Sequence, residues 1–181
     1  PQEIKSNEYD TDLLPASFFE NNRNELRKLM PKNSVAVLFS NPVRNRSNDV
    51  DFQYHQDPNF YYLTGLREPN SVVFIFKEVQ QYGKDITADE ILFVQKNNSL
   101  DDIWTGKRLG VDGAEKFLGI KKAMASTDFS IFDLELETFD KILVGKIPQD
   151  IENNFVKDDL YNLIQGFHQK TKKCESKLDE N

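Results

Sequence analysis

A chain of 181 residues with 38% hydrophobic side chains, among them 14 Phe, 6 Tyr and one Trp, carries enough apolar surface for one domain to offset its chain entropy. A formal charge of −7 and a pI near 4.9 exclude the basic footprint that nucleic acid demands and disfavour anionic membrane surfaces. No run approaches the ~20 apolar residues of a spanning helix, and the single cysteine, Cys174, cannot form an internal disulfide.

The N-terminus has no basic-then-apolar export signal and starts at Pro1 rather than methionine. The expectation is a removed upstream segment and a cytoplasmic protein, with export left open. Residues 1–14 are polar and acidic without periodicity and are expected to form an arm. Ser17 and Glu20 have capping-box spacing, and Phe18, Phe19, Asn22, Leu26, Leu29 and Met30 follow helical periodicity until Pro31 stops the helix.

Val35-Ala36-Val37-Leu38-Phe39 is a continuous apolar run of strand formers, as in a strand covered on both faces. A long polar loop follows over residues 41–59. Phe60 to Thr64 and Val72 to Phe76 read as two strands of an antiparallel hairpin, joined by a turn containing Gly65 and Pro69. After a polar excursion at 77–89, Ile91 to Gln95 supply another strand, and a glycine-punctuated loop runs through Trp104, Gly106 and Gly110.

Asp112 and Glu115 open a short helix that Gly119 can end. Phe129, Phe132, Leu136 and Phe139 form one helical stripe, ahead of a strand from Lys141 to Val144. The last helix carries Ile151, Phe155, Val156, Leu160, Leu163, Ile164 and Phe167 on one face, with a cap at Asp150 after Pro148. Beyond it a solvated tail or linker is expected. There is no internal repeat, and the pattern fits a mixed sheet with helices packed against it.

Catalytic groups are scarce. The two histidines, His55 and His168, have no partner in a short ligand motif, so a closed zinc set is not expected. His168 ends the amphipathic helix, where a cation complements the dipole. His55 lies among Asp49, Asp51 and Asp57, yet a calcium loop fails because Tyr54 stands where the turn glycine belongs. A hydrogen-bonded, structured loop is the expectation there. Cys174 has no activating base nearby in sequence, and the sequons Asn45-Arg46-Ser47 and Asn97-Asn98-Ser99 are weak signals. Trp104 sits in a polar loop, where it either plugs the core or presents a flat surface to a ligand.

Asn48-Asp49, the run Tyr54-His55-Gln56-Asp57-Pro58-Asn59-Phe60-Tyr61-Tyr62-Leu63-Thr64-Gly65 and then Glu68-Pro69 resemble the signature of the aminopeptidase P N-terminal domain. Ile103-Trp104-Thr105-Gly106-Lys107-Arg108-Leu109-Gly110 is similar to a second motif of that family. The resemblance spans about residues 17–145, with His55 where arginine is usual and Asp102 in place of a glutamate.

The resemblance implies an α/β fold: a mixed sheet of about five or six strands flanked by helices, ribonuclease H-like, the creatinase/prolidase N-terminal domain. It would occupy 15–168, after the arm at 1–14 and before a polar tail or linker at 169–181. A C-terminal pita-bread domain would then hold two divalent metals, commonly manganese, and hydrolyse the bond before a proline. This chain would hold no catalytic residue and no metal. By the same resemblance Trp104, Asp49 and His55 face the substrate cleft, and Tyr62, Gly65, Glu68, Pro69, Gly106 and Arg108 are structural members of the motifs. The implied partners are the C-terminal domain, further copies in a dimer or tetramer and a proline-containing peptide, with neither nucleic acid nor membrane. The alternative is a stand-alone peptide- or protein-binding module of the same fold without catalysis.

Overall fold

The computed structural model describes residues 14–97, 108–151, 153 and 159–180. At its centre β1 (Ser34–Phe39) lies antiparallel to β4 (Val72–Tyr82) and parallel to β7 (Lys141–Val144). The six-stranded sheet runs β6-β5-β4-β1-β7-β8, with β5 (Ile86–Val94) antiparallel to β4, and with β6 (Ala123–Ala125) and β8 (Leu178–Glu180) as parallel edges. Between β1 and β4 come a small separate ribbon, β2 (Asn45–Ser47) with β3 (Val50–Asp51), and helix α2 (Pro58–Thr64). Helices α1 (Ala16–Leu29), α3 (Gly110–Leu118) and α4 (Leu160–Thr171) complete the set.

The continuous apolar runs arise because alternate residues enter two cores. Val35, Val37, Phe39, Phe74 and Phe93 face α4, through Leu163 and Phe167, and the segment carrying Phe129 and Phe139. Ala36, Val73, Ile75 and Leu92 face Phe60 and Leu63 of α2 and Ala114 and Leu118 of α3. Both faces of the sheet are therefore covered, as buried strands require. Phe74, wholly buried, stacks on Phe129 at 5.8 Å and meets Phe93 edge-on at 6.1 Å. Burial of each such ring is worth about 1.5–3 kcal/mol.

Several expectations are corrected. Residues 60–64 form a helix, not a strand: the Asp57 carboxylate accepts from Asn59 N at 3.0 Å and Phe60 N at 2.9 Å, Pro58 opens the helix, and Gly65 at φ 72° closes it. The Ser17–Glu20 capping box does not form, because Pro15 precedes the helix in extended conformation and Ser17 is already inside it. The polar stretch 77–89 belongs to a hairpin, β4 reaching Tyr82 and β5 starting at Ile86, with a bulge between Ile75 and Gln80. Most of its side chains are exposed, with Tyr82 and Ala88 as the residues that reach the core, so it lacks an apolar period.

The stripe from Phe129 to Phe139 is not one helix. One 3₁₀ turn, Ser126–Asp128, precedes it, another, Leu136–Thr138, falls within it, and Glu135 at φ 46° interrupts helical continuation. The final helix is capped by Asp159, whose side chain accepts from Asn162 N at 2.9 Å, rather than by Asp150. The residues after it are not a wholly solvated tail: Lys172, Lys173, Glu175 and Ser176 are exposed, but Cys174 is 2% exposed and Leu178–Glu180 pair with β7. β1, β7 and the Gly119 cap of α3 stand close to where the sequence puts them.

Candidate functional site

β1 and β7 are parallel neighbours, with Val37 opposite Val144, so the segments that follow them leave the sheet at the same end. A cleft of about 1060 Å³ opens there between Asn41, Pro42, Arg44 and Asp57, the segment Gly145–Ile151 and the α4 residues Tyr161, Ile164, Gln165 and His168. Crevices at the carboxyl ends of parallel strands are the usual ligand position in open α/β sheets. An adjoining cleft of about 510 Å³ shares Asn41, Pro42 and Arg44 and adds Phe52, Tyr54 and His55.

The rim between the two clefts is fastened by Arg44. Its guanidinium lies 2.7 and 2.8 Å from the two carboxylate oxygens of Asp150 and donates to the Asp150 carbonyl at 3.1 Å. This two-pronged pairing holds the Asp150 carboxyl below the usual carboxylate range.

The loop behind the rim is ordered by Gln56. Its Oε1 lies 3.0 Å from Asn41 N, 2.9 Å from Asp57 N and 2.9 Å from the Tyr54 hydroxyl, and its Nε2 donates to Leu66 O at 3.1 Å and Glu68 O at 2.9 Å. Burial pushes the Tyr54 hydroxyl well above the ordinary tyrosine range, so it stays a neutral donor at any physiological pH. The sequence prints Gln56 between His55 and Asp57 but cannot show that one carboxamide ties together the end of β1 and the two ends of α2.

The residues singled out from the sequence are dispersed. Asp49 is exposed beside Asn48 at the turn of the ribbon and lines neither cleft. His55 is exposed and lines the smaller cleft, and its carbonyl accepts from Asn41 Nδ2 at 3.1 Å. Trp104 and Gly106 lie outside the described residues. Tyr62 is exposed, its ring edge-on to Phe18 at 6.1 Å. Gly65 caps α2, and a Cβ there would come within 2.6 Å of the Phe19 ring. Glu68 is buried and accepts from Leu109 N at 2.7 Å; Pro69 O accepts from Ser71 Oγ at 3.0 Å; Arg108 O accepts from Asn97 Nδ2 at 3.0 Å.

Sequence reading missed a buried ionic network. Arg23 donates to Glu90 Oε2 at 2.8 Å, to Leu63 O at 2.8 Å and to Gly119 O at 2.8 Å, and Arg27 also pairs with Glu90. The remaining Glu90 oxygen accepts from Lys121 N at 3.2 Å. The available signal was spacing: Phe19, Arg23 and Arg27 stand at i, i+4 and i+8, which puts both arginines on the buried face of α1.

Among the described residues no three His, Cys, Asp or Glu side chains converge in a way that would hold a metal ion, and no helix is long and apolar enough to cross a membrane. Fold and site together define a three-layer mixed α/β domain in which a polar network frames an open crevice, and the described residues do not themselves provide a metal centre.

The chain belongs to the family described as aminopeptidase P, N-terminal domain, which it matches over residues 19–137. It is 33% identical over 117 residues to a Xaa-Pro aminopeptidase of Haemophilus influenzae, covering 65% of this chain and 26% of that relative. It is 28% identical over 169 residues to intermediate cleaving peptidase 55 of Schizosaccharomyces pombe, covering 89% of this chain and 34% of the relative. The solved aminopeptidase of Pseudomonas aeruginosa superposes with a TM-score of 0.66 at 26% identity, over 92% of this chain and 36% of that one. The Escherichia coli aminopeptidase P with the inhibitor Pro-Leu shares the fold at a TM-score of 0.64 and 23% identity. The chain thus spans about a quarter to a third of the length of the curated relatives named here.

Proposed function

We propose that the chain is the N-terminal, non-catalytic domain of a metal-dependent Xaa-Pro aminopeptidase, which removes the N-terminal residue preceding a proline. The observation that carries this reading is the family match over residues 19–137, together with relatives of which this chain covers only a fraction. In this reading two divalent metals, manganese by family resemblance, belong to a downstream pita-bread domain and supply a nucleophilic water there. The described residues of this chain do not fit such a centre, and no step of the hydrolysis is assigned to them. In this reading the part of the chain is to shape the mouth of the active-site cleft, with Trp104, Asp49 and His55 facing the peptide, and to build contacts in a cytoplasmic dimer or tetramer.

The test compares the full-length protein with residues 1–181 alone, each with manganese and an Ala-Pro-containing peptide. The full-length protein is expected to release the N-terminal residue and the isolated chain is not. Turnover by the isolated chain would place the chemistry here instead. A full-length protein that binds proline peptides without cleaving them would favour the binding module. In the full-length enzyme Trp104→Ala should lower kcat/KM by roughly tenfold or more, the scale of one lost aromatic contact, with a smaller effect on Tm.

A further inference from the structure

We infer that Gln56 is a positioning residue for peptide binding: its carboxamide ties the walls of both clefts to the core and so sets how tightly the full-length enzyme takes a proline-containing peptide; this rests on the reading of the chain as the N-terminal domain of an aminopeptidase. Residues 52–57 belong to no helix or strand, so no ladder fixes their course. The backbone groups of such a segment need partners from elsewhere. Gln56 supplies several at once.

Its hydrogen-bonding capacity is fully committed. A carboxamide offers one oxygen with two lone pairs and two N–H donors. Oε1 accepts from Asn41 N at 3.0 Å and Asp57 N at 2.9 Å, and Nε2 donates to Leu66 O at 3.1 Å and Glu68 O at 2.9 Å. Backbone amides only donate and carbonyls only accept, so these four partners also decide which way round the carboxamide stands. The Tyr54 hydroxyl closes the set, 2.9 Å from the same Oε1 and 3.1 Å from Asn41 O. With both donors and both lone pairs in use, Gln56 acts through its neighbours rather than on a ligand.

The partners on its two sides differ in kind. Leu66 and Glu68 are buried, and the Glu68 carboxylate accepts from Leu109 N at 2.7 Å, so the donor side is anchored in the core. On the acceptor side Asn41 lines both clefts, Asp57 the larger one, and Tyr54 and His55 the smaller one. Asn41 passes the constraint on, because its Nδ2 donates to His55 O at 3.1 Å. No residue of 41–57 belongs to either apolar core, so the sheet stands without this loop. Displaced walls therefore cost affinity before they cost the fold. A contact made equally to bound substrate and transition state appears in KM and leaves kcat alone.

The experiment uses the full-length protein with manganese and an Ala-Pro-containing peptide. Gln56→Glu keeps the shape and the acceptor but turns a carboxylate oxygen on two carbonyls, and Gln56→Asn shortens the side chain by one methylene without adding charge. Gln80→Glu is the control: it adds the same charge on the β4–β5 hairpin, where Gln80 Nε2 donates to Glu78 O at 2.9 Å and lines neither cleft. Steady-state kinetics, Tm and hydrogen exchange of the 41–57 segment by mass spectrometry are read on each. The expected result is a KM raised roughly tenfold or more by Gln56→Glu and several-fold by Gln56→Asn, with kcat within about twofold, Tm within a few degrees and faster exchange over 41–57. Gln80→Glu should match the parent. An unchanged KM in both Gln56 variants, or a fall in kcat that merely follows a fall in Tm, would overturn the proposal. A raised KM with unchanged exchange would overturn it as well, since Gln56 would then touch the peptide itself. If the unaltered full-length protein turns over no Xaa-Pro peptide, the aminopeptidase reading falls and this inference with it; an active parent with indifferent Gln56 variants sinks the inference alone.

Discussion

Arg23 and Glu90 meet at 2.8 Å across 67 residues of sequence, and neither side chain reaches solvent. With Arg27 on the same carboxylate, they form a buried triad that joins α1 to β5, while the Arg23 guanidinium also binds the carbonyls at the end of α2 and after α3. Charges removed from water in this way stabilise only as a complete set, because any member left alone keeps its full desolvation cost.

Glu90→Ala strands two arginines. It should destabilise the domain by about 3–5 kcal/mol, a fall in Tm of roughly 6–20 °C for a chain of this size, read by circular dichroism. A loss below about 1 kcal/mol would show that water or rearrangement satisfies the arginines and that the triad does not organise this face.

Gly65 and Gly83 both adopt positive φ, at 72° and 63°, but only Gly65 is crowded. Its added Cβ would strike the buried Phe19 ring, which is held edge-on by Tyr61 at 5.6 Å, whereas nothing lies within 4 Å at Gly83. Gly83→Ala should cost only the left-handed conformation, about 1 kcal/mol, and Gly65→Ala about 3 kcal/mol or more. Chemical denaturation midpoints of the two variants test the order; equal losses would mean that Phe19 gives way freely.

The Arg44–Asp150 pair predicts a pH and salt signature. The folded pKa of Asp150 is depressed below the unfolded value of about 3.9, first by the hydrogen bond from Arg44, so the contribution of the pair is present above the unfolded value and is lost as pH falls through the lower folded value. Carboxyl NMR should show Asp150 titrating below ordinary aspartates, and Arg44→Ala should move it upward. Because the carboxylate is exposed, added salt should weaken the effect.

Cys174 is buried and its thiol is pushed up from the ordinary cysteine value, chiefly by desolvation. In the native protein it should alkylate far more slowly than a free thiol at pH 8, and at the free rate once the chain is unfolded. Rapid native labelling would mean that the segment from Glu175 through β8 opens readily.

The elements legible in the sequence are those whose residues face one kind of neighbour throughout. The Val35–Phe39 run reads as a two-sided strand, because a short element can cover five consecutive apolar residues only by burying both faces, and four of the five are buried here. Gly119 announces the end of α3 through its αL geometry. α2 differs from the strand its composition suggests because its seven residues, rich in aromatics, are too few to display a helical period; its caps, Asp57 and Gly65, carry the information instead. The stripe from Phe129 to Phe139 differs for the opposite reason: its spacing mimics a helix, but Phe129 and Phe139 are each buried after a separate turn, against Phe74 and Phe93 or against Phe76, while Phe132 is only partly buried.

The order of its motifs fixed this protein's family, and the apolar runs fixed its central strands, since both are properties of residues close together in the chain. The candidate site had to await the fold. Arg44 finds Asp150 at a separation of 106 residues once parallel β1 and β7 deliver the loops after them to one end of the sheet, and Arg23 finds Glu90 at 67 once α1 lies against the sheet that carries β5. Hydrogen bonds and desolvation act over a few ångströms of space, and only the tertiary structure brings those distances within reach.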